Sequence, residues 1–181
     1  MPRVDLWVRR PDMYFCGVCF GHQLLCRMLG SKVDSAPSGD WELAHTSINL
    51  TRVGRQLFRE DGKDGKIHLH QMHQDQVVDA PSPASSGGLL EAGAKVHVWG
   101  SSDHTAVQGV YIRDRMLTTQ GHLGFDEQMV KSQMEMRVDS GGIEDKEHVE
   151  AAAETADWKH DGIVVAKAML RFFHGEDHDI D

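Results

Sequence analysis

No run in this sequence is apolar over the length needed to cross a bilayer. The opening Met1-Pro2-Arg3-Val4-Asp5-Leu6-Trp7-Val8-Arg9-Arg10 also lacks the apolar core of a secretion signal. Cysteine is scarce. Cys16, Cys19 and Cys26 form an odd set without framework spacing, which argues against a disulfide-stapled secreted domain and for a reducing compartment. A cytoplasmic location is the expectation. Positive charge is in deficit, since 19 Lys and Arg face 28 Asp and Glu and the net charge is -9. Nucleic acid and anionic membranes are bound through a basic footprint, so neither is an expected partner. Internal repeats and low-complexity tracts are missing as well.

What is present is an ordinary globular composition, 40% hydrophobic and 26% charged over 181 residues, enough for one domain with a sizeable core spanning 1–181. The most informative stretch is Gly17-Val18-Cys19-Phe20-Gly21-His22-Gln23. It follows the apolar Met13-Tyr14-Phe15-Cys16 and precedes the helix-like Leu24-Leu25-Cys26-Arg27-Met28-Leu29. A short strand, a glycine-flanked cysteine and a helix read as a nucleophile elbow, in which the residues two before and two after the nucleophile are small so that the turn can close. Gly17 and Gly21 meet that requirement. The turn sets the Cys19 sulfur at a helix N-terminus, where the dipole and free amides favour a thiolate and are expected to lower the thiol pKa.

Along the rest of the chain, residues 1–10 read as a helix with Val4, Trp7 and Val8 on one side, closed by Pro11. Gly30 is placed to end the helix after the elbow. Ser35-Ala36-Pro37-Ser38-Gly39 and Lys63-Asp64-Gly65-Lys66 are turns, with strands expected over 41–50 and 67–72. The stretch 80–88 is a loop, Val96 and Val98 belong to a strand, and 106–112 with 116–120 form a hairpin turning at Arg113-Asp114-Arg115. Phe125, Met129, Ser132 and Met136 share a helical face, Gly141-Gly142 breaks the chain, and 147–156 is rich in helix formers. A last helix starts at Asp161 as N-cap and carries Ile163, Ala166, Leu170 and Phe173 at core spacing, and the acidic tail 176–181 is expected to fray.

The pattern Gly-x-Cys-x-Gly-x-Gln resembles the nucleophile motif of class I glutamine amidotransferases. Four further segments are similar to successive landmarks of the fungal, GMP-synthase-like branch. These are His70-Gln71-Met72-His73-Gln74-Asp75-Gln76-Val77, Val107-Gln108-Gly109-Val110-Tyr111-Ile112, Thr119-Gln120-Gly121-His122 and His160-Asp161-Gly162-Ile163-Val164-Val165. The resemblance implies a three-layer α/β, flavodoxin-like sheet with flanking helices. An elbow strand in such a sheet is an interior strand, yet 18 residues precede Cys19 and one strand-helix-strand unit takes about 30 or more. The domain is therefore expected to be incomplete at its N-terminus, without the loop that donates one oxyanion amide.

The resemblance further implies cleavage of a gamma-glutamyl amide, glutamine to glutamate and ammonia, with Cys19 as nucleophile, His122 as proton shuttle, and Gln23, Phe20 and Gly17 as the substrate-binding residues, the Phe20 amide serving as an oxyanion donor. It implies a small-molecule substrate, either glutamine or a gamma-glutamyl compound, a synthetase partner to take the ammonia, and no cofactor or metal. Gln23 has a competing reading as an exposed polar residue on the first helical turn. Where the family has His-Pro-Glu this chain reads His122-Leu123-Gly124, so the carboxylate that orients the imidazole is missing and Asp126 or Glu127 are the nearby substitutes. Three other readings compete: a gamma-glutamyl peptidase acting on glutathione-like substrates, a catalytically dead binding or regulatory relative, and a zinc hydrolase. The last rests on His68-x-His70-x-x-His73-x-Asp75, which resembles the first metal motif of the metallo-beta-lactamases but has Met72 in place of its aspartate.

Overall fold

The structure, a computed structural model, describes residues 2–59 and 64–180, with side chains from residue 5 onward. Val4 of the expected helical face and Lys63 of the expected turn thus lie outside the described side chains. The element order is α1 (Pro2–Arg9), β1 (Phe15–Val18), α2 (Phe20–Met28), β2 (Val33–Ser35), β3 (Glu42–Leu50), α3 (Arg52–Phe58), β4 (Lys66–His73), β5 (Asp75–Val77), β6 (His97–Ser101), β7 (Gly109–Ile112), β8 (Met116–Thr119), α4 (Glu127–Asp139), α5 (Lys146–Ala153) and α6 (Gly162–Phe173). Six strands form one sheet in the order β1-β8-β7-β6-β3-β4, and β2 pairs with β5 in a small second one. The architecture is the expected α/β sheet with helices on both faces. Within it β1 runs parallel to β8, and the other ladders of the large sheet are antiparallel.

Strand alternation sorts the core. Val110, Ile112 and Met116 turn to the face covered by α1 and α2, where they meet Trp7, Leu25, Cys26 and Leu29. Tyr111 and Leu117 turn to the other face and join Trp99 with Val53, Leu57, Phe58, Val165, Met169 and Phe172 from α3 and α6. A third cluster packs α4 and α5 over the ends of β3 and β4 through Leu43, Met72, Val130, Met134 and Ala152. Both faces of β7 and β8 are therefore buried, which is why residues 110–112 and 116–117 are apolar without alternation, followed by the buried Thr118 and Thr119.

Several local expectations are corrected. Helix α3 has no counterpart in the sequence reading. It forms because Thr51 caps it by accepting from the Gly54 amide and Arg59 closes it in the left-handed region at φ 55. In α4 the buried side is Val130 and Met134, whereas Met129 and Met136 are exposed. In α6 the buried residues are Val165, Ala168, Met169 and Phe172, and the expected core positions Ile163, Leu170 and Phe173 face outward with 71%, 58% and 46% exposure. That helix is apolar nearly all round, so spacing alone does not say which stripe meets α3. Asp161 does stand at the N-cap position of α6, but its carboxylate accepts from the His68 amide of β4 at 2.8 Å instead of from its own helix. The tail is anchored over 176–180. Asp177 accepts from the buried Tyr111 hydroxyl at 2.7 Å, and Ile180 is buried in the core.

Candidate active site

The elbow forms where β1 hands over to α2. Val18 pairs with Thr119 of β8, and one residue later the Cys19 amide donates to the Thr119 carbonyl at 2.9 Å. Cys19 takes φ 50 and ψ -109, a sparsely populated conformation for a residue with a side chain, which costs about 1–3 kcal/mol and persists only where the surroundings impose it. The imposing contact is between glycines. A Cβ on Gly17 would lie 2.5 Å from the Gly21 carbonyl carbon, so the strand and the helix start touch backbone to backbone. Gly21 is under no such constraint, since a Cβ there would meet nothing within 4 Å, and the expectation that both glycines close the turn holds for Gly17 alone.

Burial raises the Cys19 thiol pKa above its ordinary value, against the expected lowering. The Phe20 amide, the Gln120 side chain and Arg137 all favour the thiolate, but desolvation outweighs them. Cys16 and Cys26 are pushed up to about 12 by burial. His22, behind the elbow, is fully buried, with Nδ1 2.8 Å from Thr118 Oγ1 and 3.6 Å from the Cys26 sulfur.

His122 lies just beyond β8, where its amide donates to the His70 carbonyl at 2.9 Å. Its ring stacks on Phe125 with centroids 3.9 Å apart. Burial, with a further push from His73, holds its pKa down at about 4. No carboxylate bonds to it among the described residues. Asp126 caps α4 through the Met129 amide at 2.8 Å, and Glu127 pairs with Lys131 at 2.6 Å, so neither expected substitute is joined to the imidazole. Nor does a hydrogen bond link His122 to the Cys19 thiol among the described residues. Gly124 is open: a Cβ there meets nothing within 4 Å, and its φ is not positive.

Gln23 is buried rather than exposed. Its Nε2 donates to the Asp75 carbonyl at 2.7 Å and to Gln120 Oε1 at 3.1 Å. The same Asp75 carbonyl accepts from His73 Nδ1 at 2.9 Å, and His73 Nε2 lies 2.9 Å from Glu42 Oε2. Glu42 also accepts from the Thr105 hydroxyl at 2.8 Å and from Gln108 Nε2 at 3.0 Å. Burial alone would raise its carboxyl pKa, but His73, Ser102 and Thr105 outweigh that and hold it below the usual range. A buried polar network thus runs from Glu42 to the elbow. Sequence reasoning assigned no role to Glu42, Thr105, Gln108 or Gln120. Their signal was there, as polar residues in or beside runs that otherwise read as buried strand.

His68 and His70 do gather with other histidines. His45 stacks on His68 at 4.8 Å, and His160 lies 5.0 Å from His70. Among the described residues no group of three or more such side chains is arranged to hold a metal ion, and His73 of the same sequence pattern turns away to Glu42. A cavity of about 660 Å³ lies at the other end of β1, around Trp7, Tyr111, Arg113 and Arg115. Its guanidiniums are occupied, Arg115 by the carbonyls of Trp7, Arg10, Pro11 and Met13 and Arg113 by that of Ile180.

An α/β sheet layered by helices, with a cysteine held in strained backbone where a strand turns into a helix, defines a class of protein built around an elbow. The family model described as glutamine amidotransferase class-I matches residues 1–137, and the chain belongs to that family. A candidate glutamine amidotransferase of Saccharomyces cerevisiae is 30% identical over 157 residues, covering 87% of this chain and 55% of its own length. Gamma-glutamyl peptidase 2 of Arabidopsis thaliana is 29% identical over 117 residues, 63% of this chain and 41% of its own. This chain therefore spans about half the length of these relatives. The crystal structure of a glutamine amidotransferase from Thermotoga maritima superposes with a TM-score of 0.66 over 98% of this chain and 69% of that one, at 18% identity, a likeness of fold.

Proposed function

We propose that the protein hydrolyses a gamma-glutamyl amide, with glutamine as the reference substrate, through a thioester on Cys19. The observation that carries this reading is the strained backbone of Cys19 at the start of α2, which holds the sulfur at a helix N-terminus with the Phe20 amide beside it. In the reaction the Cys19 thiol gives its proton to the neutral His122 imidazole and the sulfur attacks the amide carbonyl. The Phe20 amide faces the oxygen that becomes negative. His122 returns the proton to the leaving nitrogen, ammonia departs, and water then cleaves the thioester to glutamate. Gln23 has both amide protons engaged, which leaves its Oε1 as an acceptor for the substrate's ammonium group. The ammonia passes to a synthetase partner or to solvent.

The resting pair is thiol and imidazole, because burial raises one pKa and lowers the other. Turnover is accordingly slow. The test is release of ammonia and glutamate from glutamine by the wild type and by Cys19→Ser. Activity in the wild type that is lost in the variant supports the reading, and equal activity in both removes Cys19 from it.

A second reading, gamma-glutamyl peptidase activity, is favoured by the identity to the Arabidopsis protein. Faster release of amine from glutathione than of ammonia from glutamine would select it. A folded protein with neither activity would be a binding or regulatory relative, which the glycine at 124 favours.

A further inference from the structure

The Gln120 carboxamide is fully buried, and its Nε2 has no hydrogen-bond partner among the described residues. A buried donor left without a partner costs free energy on the order of 1–3 kcal/mol, so its surroundings have to explain it. Its direction is forced by a series of contacts. A backbone carbonyl can only accept, so the Asp75 carbonyl compels Gln23 to present Nε2. Gln23 Nε2 in turn compels Gln120 to present Oε1. The remaining Gln120 amino group is thereby turned away from Gln23. The end of the parallel ladder places it: Val18 pairs with Thr119 as the last pair and the Cys19 amide donates to the Thr119 carbonyl, so Cys19 and Gln120 are the residues that immediately follow that pair on the two strands.

We infer that Gln120 is a catalytic residue whose otherwise unused Nε2 donates to the sulfur of Cys19 and stabilises the thiolate at the moment of attack. The inference rests on the reading of Cys19 as the nucleophile. Glu42 and His73 act through Gln120 as positioning residues, since the His73 Nδ1 proton and the Gln23 amide share the Asp75 carbonyl and Glu42 holds the far side of the His73 ring. This supplies thiolate stabilisation from a neutral group just beyond β8, in a site where no carboxylate among the described residues bonds to His122. The direction in which the Gln120 side chain moves the thiol, toward the thiolate, agrees.

The experiment reads the thiol directly and does not depend on turnover of any substrate. The rate of alkylation of Cys19 by iodoacetamide, followed by peptide mapping across the alkaline range, yields the thiolate midpoint. Gln120→Leu removes the donor, and Gln120→Glu keeps an acceptor for Gln23 while removing the N–H. Each is expected to raise the midpoint by about one pH unit or more. In the unaltered protein, the Gln120 side-chain amide resonance in a nitrogen-proton spectrum is expected to titrate with the same midpoint, a readout that needs no variant to fold. An unchanged midpoint in a folded variant, or an amide resonance that does not move as Cys19 ionises, overturns the inference. Failure of glutamine and glutathione hydrolysis with these shifts intact would instead overturn the proposed function and leave the hydrogen bond standing.

Discussion

Gly17 and Gly21 touch through their backbones, yet the contact constrains only one of them. A Cβ at 17 would sit 2.5 Å from the Gly21 carbonyl carbon, whereas a Cβ at 21 would project into open space. Gly17→Ala must therefore push β1 and α2 apart. It is expected to destabilise the fold by about 1–3 kcal/mol, as overpacking does, and to slow alkylation of Cys19 by relaxing the elbow. Gly21→Ala lies within α2 and is expected to leave stability unchanged or raise it by up to about 1 kcal/mol through helix propensity. Urea unfolding of both variants checks the contrast, and equal effects would refute it.

On the proposed reaction, Gly124 is the position where a carboxylate would complete a triad with Cys19 and His122. Its φ is not positive and a Cβ there is free of neighbours, so Gly124→Glu is sterically permitted. A carboxylate beside His122 would lift the imidazole pKa from about 4 and fix its tautomer. Loss of the acidic member in serine-protease triads costs on the order of ten-thousand-fold, so recovery of about a hundredfold in gamma-glutamyl hydrolysis is the expectation. Asp126→Asn and Glu127→Gln serve as controls and should leave hydrolysis as it was, since one residue caps α4 and the other pairs with Lys131. Loss of activity in either control would show that it had taken over the missing role.

The three thiols should separate in reactivity. Cys16 and Cys26 are pushed up to about 12 by burial with little to oppose it, while the Cys19 thiolate is supported by the Phe20 amide, Gln120 and Arg137. Limiting iodoacetamide should label Cys19 first at every pH up to the alkaline end. Earlier labelling of Cys26 would contradict the elbow as the site of a reactive sulfur.

Acid should destabilise the fold from about pH 6.5 downward. Burial holds His22 at about 3 and His70 and His122 at about 4, all below the ordinary 6.5. Below about pH 6.5 the unfolded chain takes up protons at these positions and the folded chain does not, so stability rises with pH across this window and is lost as pH falls from about 6.5 toward 4. Each histidine contributes a slope of about 1.4 kcal/mol per pH unit in the middle of that range. Urea midpoints compared at about pH 7 and about pH 5 measure it, and identical midpoints would falsify the assignment.

The residue pattern by itself determined the elbow, the strand preceding it, the helix following it and the family. These depend on local spacing, and the strand-cysteine-helix order with a glycine at 17 admits few other conformations. It also showed that no carboxylate stands at 124. What lay beyond its reach was set by contacts between distant segments. The burial that raises the Cys19 thiol arises only in the packed fold, and the outward stripe of α6 comes from where α3 docks. The burial of Gln23 was not visible from its place on a first helical turn, because it takes a carbonyl 52 residues away to hold its side chain. The line from Glu42 through His73, Asp75 and Gln23 to Gln120 joins five points of the chain. Spacing along one segment shows how side chains share a face, but only the tertiary packing decides which polar groups are sealed from water together and must then satisfy one another.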